Sequence, residues 1–425
     1  MLTQRENELL TRTGPGTSMG TLLRRYWVPA FLTDELPEPD GTPVRIKLLG
    51  EDLLGFRDTA GNVGLVDRYC AHRGASLFFG RNEEGGIRCV YHGWKYDVTG
   101  QCVETPSEPE SSRIKNRIQL KSYPCRESGG IIWAYMGPRD EEPPLPDLEW
   151  AVVPDAQRVV SKRLQECNYL QALEGGVDLS HISILHRNLD SRSDGKDQQL
   201  TRRDSSPNYE VVDTDCGLMI AARRTAGEDA YYWRISQWIM PWYTMFPPLI
   251  DEGIGGHAWV PIDDQTCWAF SMTWNPGGPI VAKTSGEPRN GPPVGEGIYG
   301  ELIPGSFRPR ANRDNDYLID RHAQRGISYT GIPGLAAQDC AVQESMGAIC
   351  DRTNERLGAG DIPIIAVRRR LLKAVEAVQA GREPPGLNPA SQRVRPAALV
   401  LPKGIPFQEG AREALIARGG AAVAK

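Results

Sequence analysis

Two pairs of metal-binding side chains, Cys70-Ala71-His72 and Cys89-Val90-Tyr91-His92, constrain this 425-residue chain more than any other feature. Sixteen residues separate them, and each pair sits among small residues: Gly74 and Ala75 after the first, Gly93 after the second. A structural zinc site would usually present Cys-x2-4-Cys or His-x3-5-His pairs, whereas both pairs here are mixed. Two Cys on one iron and two neutral His on the other make a [2Fe-2S] centre whose reduced negative charge raises its potential. Small neighbours let backbone amides approach the sulfurs and tune that potential further.

The residues around these pairs read as short strands: Val44 to Leu49, Leu53 to Arg57, Val63 to Asp67, Ile87 to Tyr91, Trp94 to Val98 and Ile131 to Met136. Turn signals such as Thr59-Ala60-Gly61-Asn62 and Glu84-Gly85-Gly86 divide them, so a small all-β domain with the four ligands on two loops is expected. The acidic, Pro-rich stretch Arg139 to Pro146 neither continues a strand nor buries well. The expected domains are therefore residues 1–145 and 146–425.

Composition excludes some functions. A net charge of −5 with interspersed signs offers no basic field for nucleic acid. The first residues lack the basic-then-apolar order of a signal peptide and no apolar run reaches membrane-spanning length, so a soluble cytoplasmic protein is expected. Nine Cys at irregular spacings form no disulfide framework; Cys102, Cys125, Cys167, Cys216, Cys267, Cys340 and Cys350 read as small buried hydrophobes.

A second constellation, Asp178-Leu179-Ser180-His181-Ile182-Ser183-Ile184-Leu185-His186, holds two more of the six His. Five residues span about 140° around a straight helix, so His181 and His186 share a metal only where the helix is distorted, and Gly175-Gly176 already mark it as irregular. Two imidazoles and a carboxylate would form a facial triad that leaves positions open for O2 and substrate. Spacing alone leaves the carboxylate open among Asp178, Glu174, Glu344 and Asp339.

Together these motifs resemble the oxygenase (α) subunit of the Rieske non-haem iron oxygenases, in its phthalate dioxygenase-like branch. The resemblance runs over nearly the whole chain and includes Asn315-Asp316-Tyr317, Gly331-Ile332-Pro333-Gly334, Gln338-Asp339, Gln343-Glu344-Ser345-Met346-Gly347, Asp351 to Gly358 and Asp361 to Leu372. It implies an α+β chain: the N-terminal all-β Rieske [2Fe-2S] domain, then a helix-grip catalytic domain on an antiparallel sheet. Segments Tyr231 to Met240, His257 to Val260 and Thr266 to Trp274 read as strands of that sheet, with helical stretches near 167–187 and 335–376 carrying the iron.

The resemblance also implies roles. His181, His186 and Asp339, from the Gln-Asp element, hold Fe(II); Cys70, His72, Cys89 and His92 hold the cluster. Asp178 then serves as the electron bridge, linking an iron-ligand His to a cluster-ligand His of a neighbouring subunit. A homo-oligomeric ring of three chains, or two stacked rings, follows from that role. The chain carries no convincing dinucleotide fingerprint, so a separate NAD(P)H-dependent reductase is expected to supply electrons.

Alternation along Tyr232-Trp233-Arg234-Ile235-Ser236-Gln237-Trp238-Ile239-Met240 places Arg234 among aromatic residues on one face, which suits an aromatic carboxylate. Arg202 or Arg203 is a second candidate. Arg368-Arg369-Arg370 reads as a solvated helix face, Pro276 to Arg308 as a lid or surface insertion, and the Pro-rich tail from Pro384 as an interface arm. The expected reaction is cis-dihydroxylation of a phthalate-like acid. O-demethylation of a methoxylated, lignin-derived acid is the alternative, and a non-catalytic electron-transfer protein the reading from another class.

Overall fold

The computed structural model describes residues 1–189, 196–247, 253–280 and 300–417. The chain divides into two compact units: Thr13–Pro143, and a larger one made of Met1–Arg12 with Pro144–Lys425.

The smaller unit is a stack of short antiparallel sheets. One pairs Trp27–Leu32, Ile131–Tyr135 and Cys125–Ser128; another orders Val44–Leu48, Glu51–Arg57, Val63–Asp67 and Ser122–Tyr123. The last orders Arg81–Glu83, Gly86–Arg88, Lys95–Tyr96 and Cys102–Glu104. Strands expected over Ile87 to Tyr91 and Trp94 to Val98 are shorter, ending at Arg88 and starting at Lys95. The chain between them is closed into a loop by hydrogen bonds to Cys89 itself, which frees its side chains from the sheet's alternation. Leu54, Phe56, Val66, Leu77, Ile87, Trp94 and Tyr96 form the core beneath the loops, and Cys70 and Cys89 belong to that core.

The larger unit is built on an eight-stranded antiparallel sheet. Seven strands lie in the order Arg158–Gln165, Cys267–Trp274, Ile254–Pro261, Tyr243–Phe246, Ala230–Ile239, Gly217–Thr225, Asn208–Thr214. The eighth, Ala397–Pro402, pairs with Ala230 to Ile235, while Tyr243–Phe246 pairs with the remainder of that edge, Gln237 to Ile239. The tail is therefore part of the sheet rather than an interface arm. Phe407, Ala411 and Leu415 then pack with Trp233, Ile235, Ala397 and Leu401, covering one face of the central strand. Alternation places Arg234, Ser236 and Trp238 on the opposite face.

The first twelve residues join this unit and not the small β domain, in contrast to the expected 1–145 grouping. Helix Gln4–Thr11 is started by a capping box between Thr3 and Glu6. Its Leu10 and Thr11 carbonyls accept hydrogen bonds from Tyr169 (3.0 Å) and Asn168 (3.0 Å). Its Asn7 accepts from Arg352 at 3.2 Å.

That arginine opens a buried ion network. The Glu174 carboxylate accepts from Arg352 Nη2 at 3.0 Å and from Arg368 Nε at 2.7 Å, and Arg368 grips Glu355 at 2.6 and 2.9 Å. Arg368 is thus buried in helix Ile362–Gln379; Arg369 is exposed and Arg370 reaches Asp213. The expected solvated face holds only for the later part of the Arg run. Burial raises the Glu174 pKa, but the charges and hydrogen bonds of Arg352 and Arg368 bring it below the ordinary carboxylate range. Most of the expected 276–308 loop, residues 281–299, lies outside the described residues. Among the described residues, no helix is long and apolar enough to cross a membrane.

Candidate functional site

In the smaller unit the two ligand loops are built alike. Cys70 N–H donates to Ala75 O (2.9 Å) and Cys70 O accepts from Gly74 N–H (2.9 Å). Cys89 N–H donates to Trp94 O (2.8 Å) and Cys89 O accepts from Gly93 N–H (2.9 Å). In both loops, then, the carbonyl bond closes four residues on and the amide bond five. Gly74 (φ 72°) and Gly93 (φ 76°) supply the left-handed turn this closure needs, which a side chain would strain.

The side chains converge as a cluster requires. The His72 and His92 rings lie 4.5 Å apart edge to face, and Trp94 stacks on His72 at 4.4 Å. The Tyr96 hydroxyl is 3.1 Å from Cys70 Sγ. Burial raises the Cys70 thiol pKa, and the neighbouring Cys89 sulfur adds to it. The buried His72 Nδ1 has no hydrogen-bond partner among the described residues. A buried ring nitrogen in want of a partner, beside two thiols and a second imidazole, fits a metal-cluster donor set.

The larger unit forms a second set. Helix Tyr169–Val177 is capped by Asn168 and ends at Asp178, whose φ −80°, ψ 116° is extended. His181 then starts a short 3-10 turn, His181–Ser183, and His186 follows beyond it. The two imidazoles meet because the helix has ended, not because it bulges. Gly175 and Gly176 are inside the helix for a packing reason: a Cβ would come within 2.1 Å of Gln343 and of Trp259, respectively.

The third donor comes from helix Leu335–Ser345, where Asp339 Oδ1 lies 3.6 Å from His181 Nε2 and 3.4 Å from His186 Nε2. One ligand atom from each of the three falls within 4.8 Å of the others, with all three groups partly accessible. Burial raises the Asp339 pKa, but His186, His181 and Arg163 draw it below the usual carboxylate value. Asp178 Oδ2 lies 3.4 Å from the other ring nitrogen of His181, and its Oδ1 accepts from Ser180 N–H at 2.7 Å. A two-His, one-carboxylate set whose members stay partly accessible fits Fe(II).

Other carboxylates are committed elsewhere. Glu174 is held in the arginine network, and Glu344 accepts from Tyr317 Oη (2.6 Å) and from Glu166 N–H (3.0 Å). Arg234 is buried, donating to the Tyr232 hydroxyl (3.2 Å) and the Pro247 carbonyl (2.8 Å). Arg203 is exposed in the last turn of helix Lys196–Arg203. Arg202 donates to Asn188 O at 2.7 Å.

The sheet face that carries Arg234 also carries residues that sequence reasoning passed over. Cross-strand register brings these residues, Thr244, His257 and Ser271, into one row with Trp238, which alternation had already placed on that face. His257 Nδ1 is 3.1 Å from Ser271 Oγ, and burial with the Arg163 charge pushes its pKa down to about 3, so it is neutral. The only signal for this row was its alternation within separate strands.

A two-Cys, two-His set in one unit and a two-His, one-carboxylate set in the other fit the donors of an iron-sulfur cluster and of a mononuclear metal, the pairing of centres found in cluster-dependent oxygenases. Comparison with known proteins agrees. Residues 26–124 match the Rieske [2Fe-2S] domain, and residues 134–409 match the LigXa C-terminal domain like family. The chain is 39% identical over 96% of its length to the 3-chlorobenzoate-3,4-dioxygenase oxygenase subunit of Comamonas testosteroni, covering 97% of that protein. It is also 39% identical over 90% of its length to the phthalate 4,5-dioxygenase oxygenase subunit of Pseudomonas putida, covering 88% of it. A 5,5'-dehydrodivanillate O-demethylase oxygenase subunit from a Sphingobium species is 32% identical over 99% of this chain and 92% of its own. Among solved structures, dicamba monooxygenase bound to 3,6-dichlorosalicylic acid has the same fold, with a TM-score of 0.58 at 20% identity over 85% of this chain and 100% of that one. The chain belongs to the phthalate dioxygenase-like branch of the Rieske non-haem iron oxygenases, as an oxygenase (α) subunit. It is an oxidoreductase whose cofactors are a [2Fe-2S] cluster and a mononuclear iron.

Proposed function

We propose that Cys70, His72, Cys89 and His92 hold the cluster, that His181, His186 and Asp339 hold Fe(II), and that the substrate is an aromatic carboxylate undergoing cis-dihydroxylation. The meeting of His181, His186 and Asp339 carries this reading, because a simple electron carrier needs no second, open donor set. When bound, the cluster supplies single electrons and the iron activates O2. Asp178 orients the His181 ring through Nδ1 and connects it to a cluster histidine of a neighbouring copy. That role requires a homo-oligomer, a trimer or a hexamer of two rings. A separate NAD(P)H-dependent reductase delivers the electrons, in a cytoplasmic setting that keeps the cluster thiolates reduced.

Two relatives at 39% identity are named for chlorobenzoate and phthalate, both aromatic acids, which supports the substrate class. Arg234, buried among aromatic side chains, is the proposed carboxylate anchor. O-demethylation stands as the second reading, favoured by the dehydrodivanillate O-demethylase relative. Metal analysis and O2 uptake test the proposal together. About three irons per two acid-labile sulfides are expected, and two irons would leave only an electron carrier. With a compatible reductase, O2 uptake and product analysis across phthalates, halobenzoates and methoxylated aromatic acids should select among acids. Turnover confined to neutral hydrocarbons would remove Arg234 from its role.

A further inference from the structure

The buried amide of Gln338 has a definite orientation, and it bears on the neighbouring imidazole. Gln338 Nε2 donates to the Ile332 carbonyl at 2.9 Å, a bond that only the amide nitrogen can make. Its Oε1 therefore faces His186 Nδ1, at 2.8 Å, and can only accept. The His186 proton must then sit on Nδ1, which leaves the Nε2 lone pair, 3.4 Å from Asp339 Oδ1, directed at the open set.

We infer that Gln338 is a positioning residue: it sets the tautomer and ring orientation of His186 for metal and ties that ring to the helix turn that carries Asp339. This rests on the iron assignment above and adds to it. One backbone carbonyl thus orders an amide, the amide orders an imidazole, and Gln338 and Asp339 place two of the three donors through a single dipeptide. The other imidazole is held differently, by the Asp178 carboxylate at 3.4 Å. His186 is given a short, neutral support and His181 a longer, anionic one.

The test uses the full-length protein with its cluster loaded. Q338L removes the acceptor at similar volume, and Q338E keeps an acceptor for the Nδ1 proton. Fe(II) affinity of the mononuclear site, and the electron paramagnetic resonance of its nitric oxide adduct, are read beside the cluster's visible spectrum. Q338L is expected to bind Fe(II) about ten- to a hundredfold more weakly and to show a changed adduct spectrum, with the cluster spectrum intact. Q338E should bind more tightly than Q338L, with an adduct spectrum closer to that of the parent. The inference is overturned if Q338L keeps parental affinity and spectrum, or if Q338E is no better than Q338L. Should Q338L not fold, Q338A replaces it under the same two criteria. Failure of the iron assignment itself looks different: the parent protein would then bind no Fe(II) outside the cluster.

Discussion

The donor sets proposed for the cluster and for the iron are built on opposite plans. The first lies within residues 70–92, in two loops that close on their own backbone, whereas the second gathers donors from positions 181 to 339. Local closure makes the cluster loops nearly self-sufficient, needing the small β domain mainly as a floor. The iron set depends on contacts made far away: Gln343 against Gly175, Trp259 against Gly176, and two arginines around Glu174. The difference predicts that perturbations should separate the two centres.

The largest separation should come from Asp339→Ala. Turnover is expected to fall by about a thousandfold or more, since it removes a ligand on which metal catalysis depends. The cluster's visible spectrum should be unchanged, and its loss in this variant would break the contrast. Arg352→Met should come next, because it leaves Glu174 buried with only part of its compensation, at a cost of about 3 kcal/mol. Chemical denaturation should show the larger unit weakened while cluster absorbance persists; a concerted loss would mean that the two units unfold as one.

The same network gives a pH dependence. A carboxylate whose pKa is lower in the folded state contributes stability above its unfolded value, and that contribution is lost as pH falls through the folded one. The parent protein should thus lose stability in acid as Glu174 protonates, and Arg352→Met should begin to lose it at higher pH. A mutant acid transition at the parental pH would count against the role of Arg352. The smallest effect is expected for Tyr96→Phe, which takes a hydrogen bond from Cys70 Sγ. Losing about 1 kcal/mol of preference for the more negative, reduced cluster should lower its potential by roughly 40 mV. Redox titration checks this, and Fe(II) binding at the other set should not change.

The same contrast explains what was legible in the amino-acid sequence. The mixed pairs Cys70/His72 and Cys89/His92 stood out by spacing, because a self-closing loop writes its geometry into neighbouring residues. His181 and His186 were visible as a pair, but helical periodicity misplaced them: the helix stops at Val177, where Asp178 turns extended. Asp339 could be reached only through resemblance, since nothing local connects position 339 with position 181. Gly175 and Gly176 looked like signs of irregular helix, and their real constraint, side chains arriving from distant segments, has no local signature. Arg368 failed for the same reason: its partners, Glu174 and Glu355, are remote or on another turn of chain. Gln338 stood in plain view beside Asp339, yet its role depends on Ile332 O and His186 being brought to either end of one amide.

The pairing of Ala397–Pro402 with Ala230 to Ile235 sets an order on biogenesis. As the chain leaves the ribosome, Thr13–Pro143 emerges complete and can fold at once, while the strand bearing Arg234 must wait for some 160 further residues before its edge is covered. Until then it is an open, apolar β-edge of the kind that nascent chains join to one another. A stop codon shortly before Ala397 should therefore yield a protein that assembles its cluster domain and still aggregates through the strand that bears Arg234.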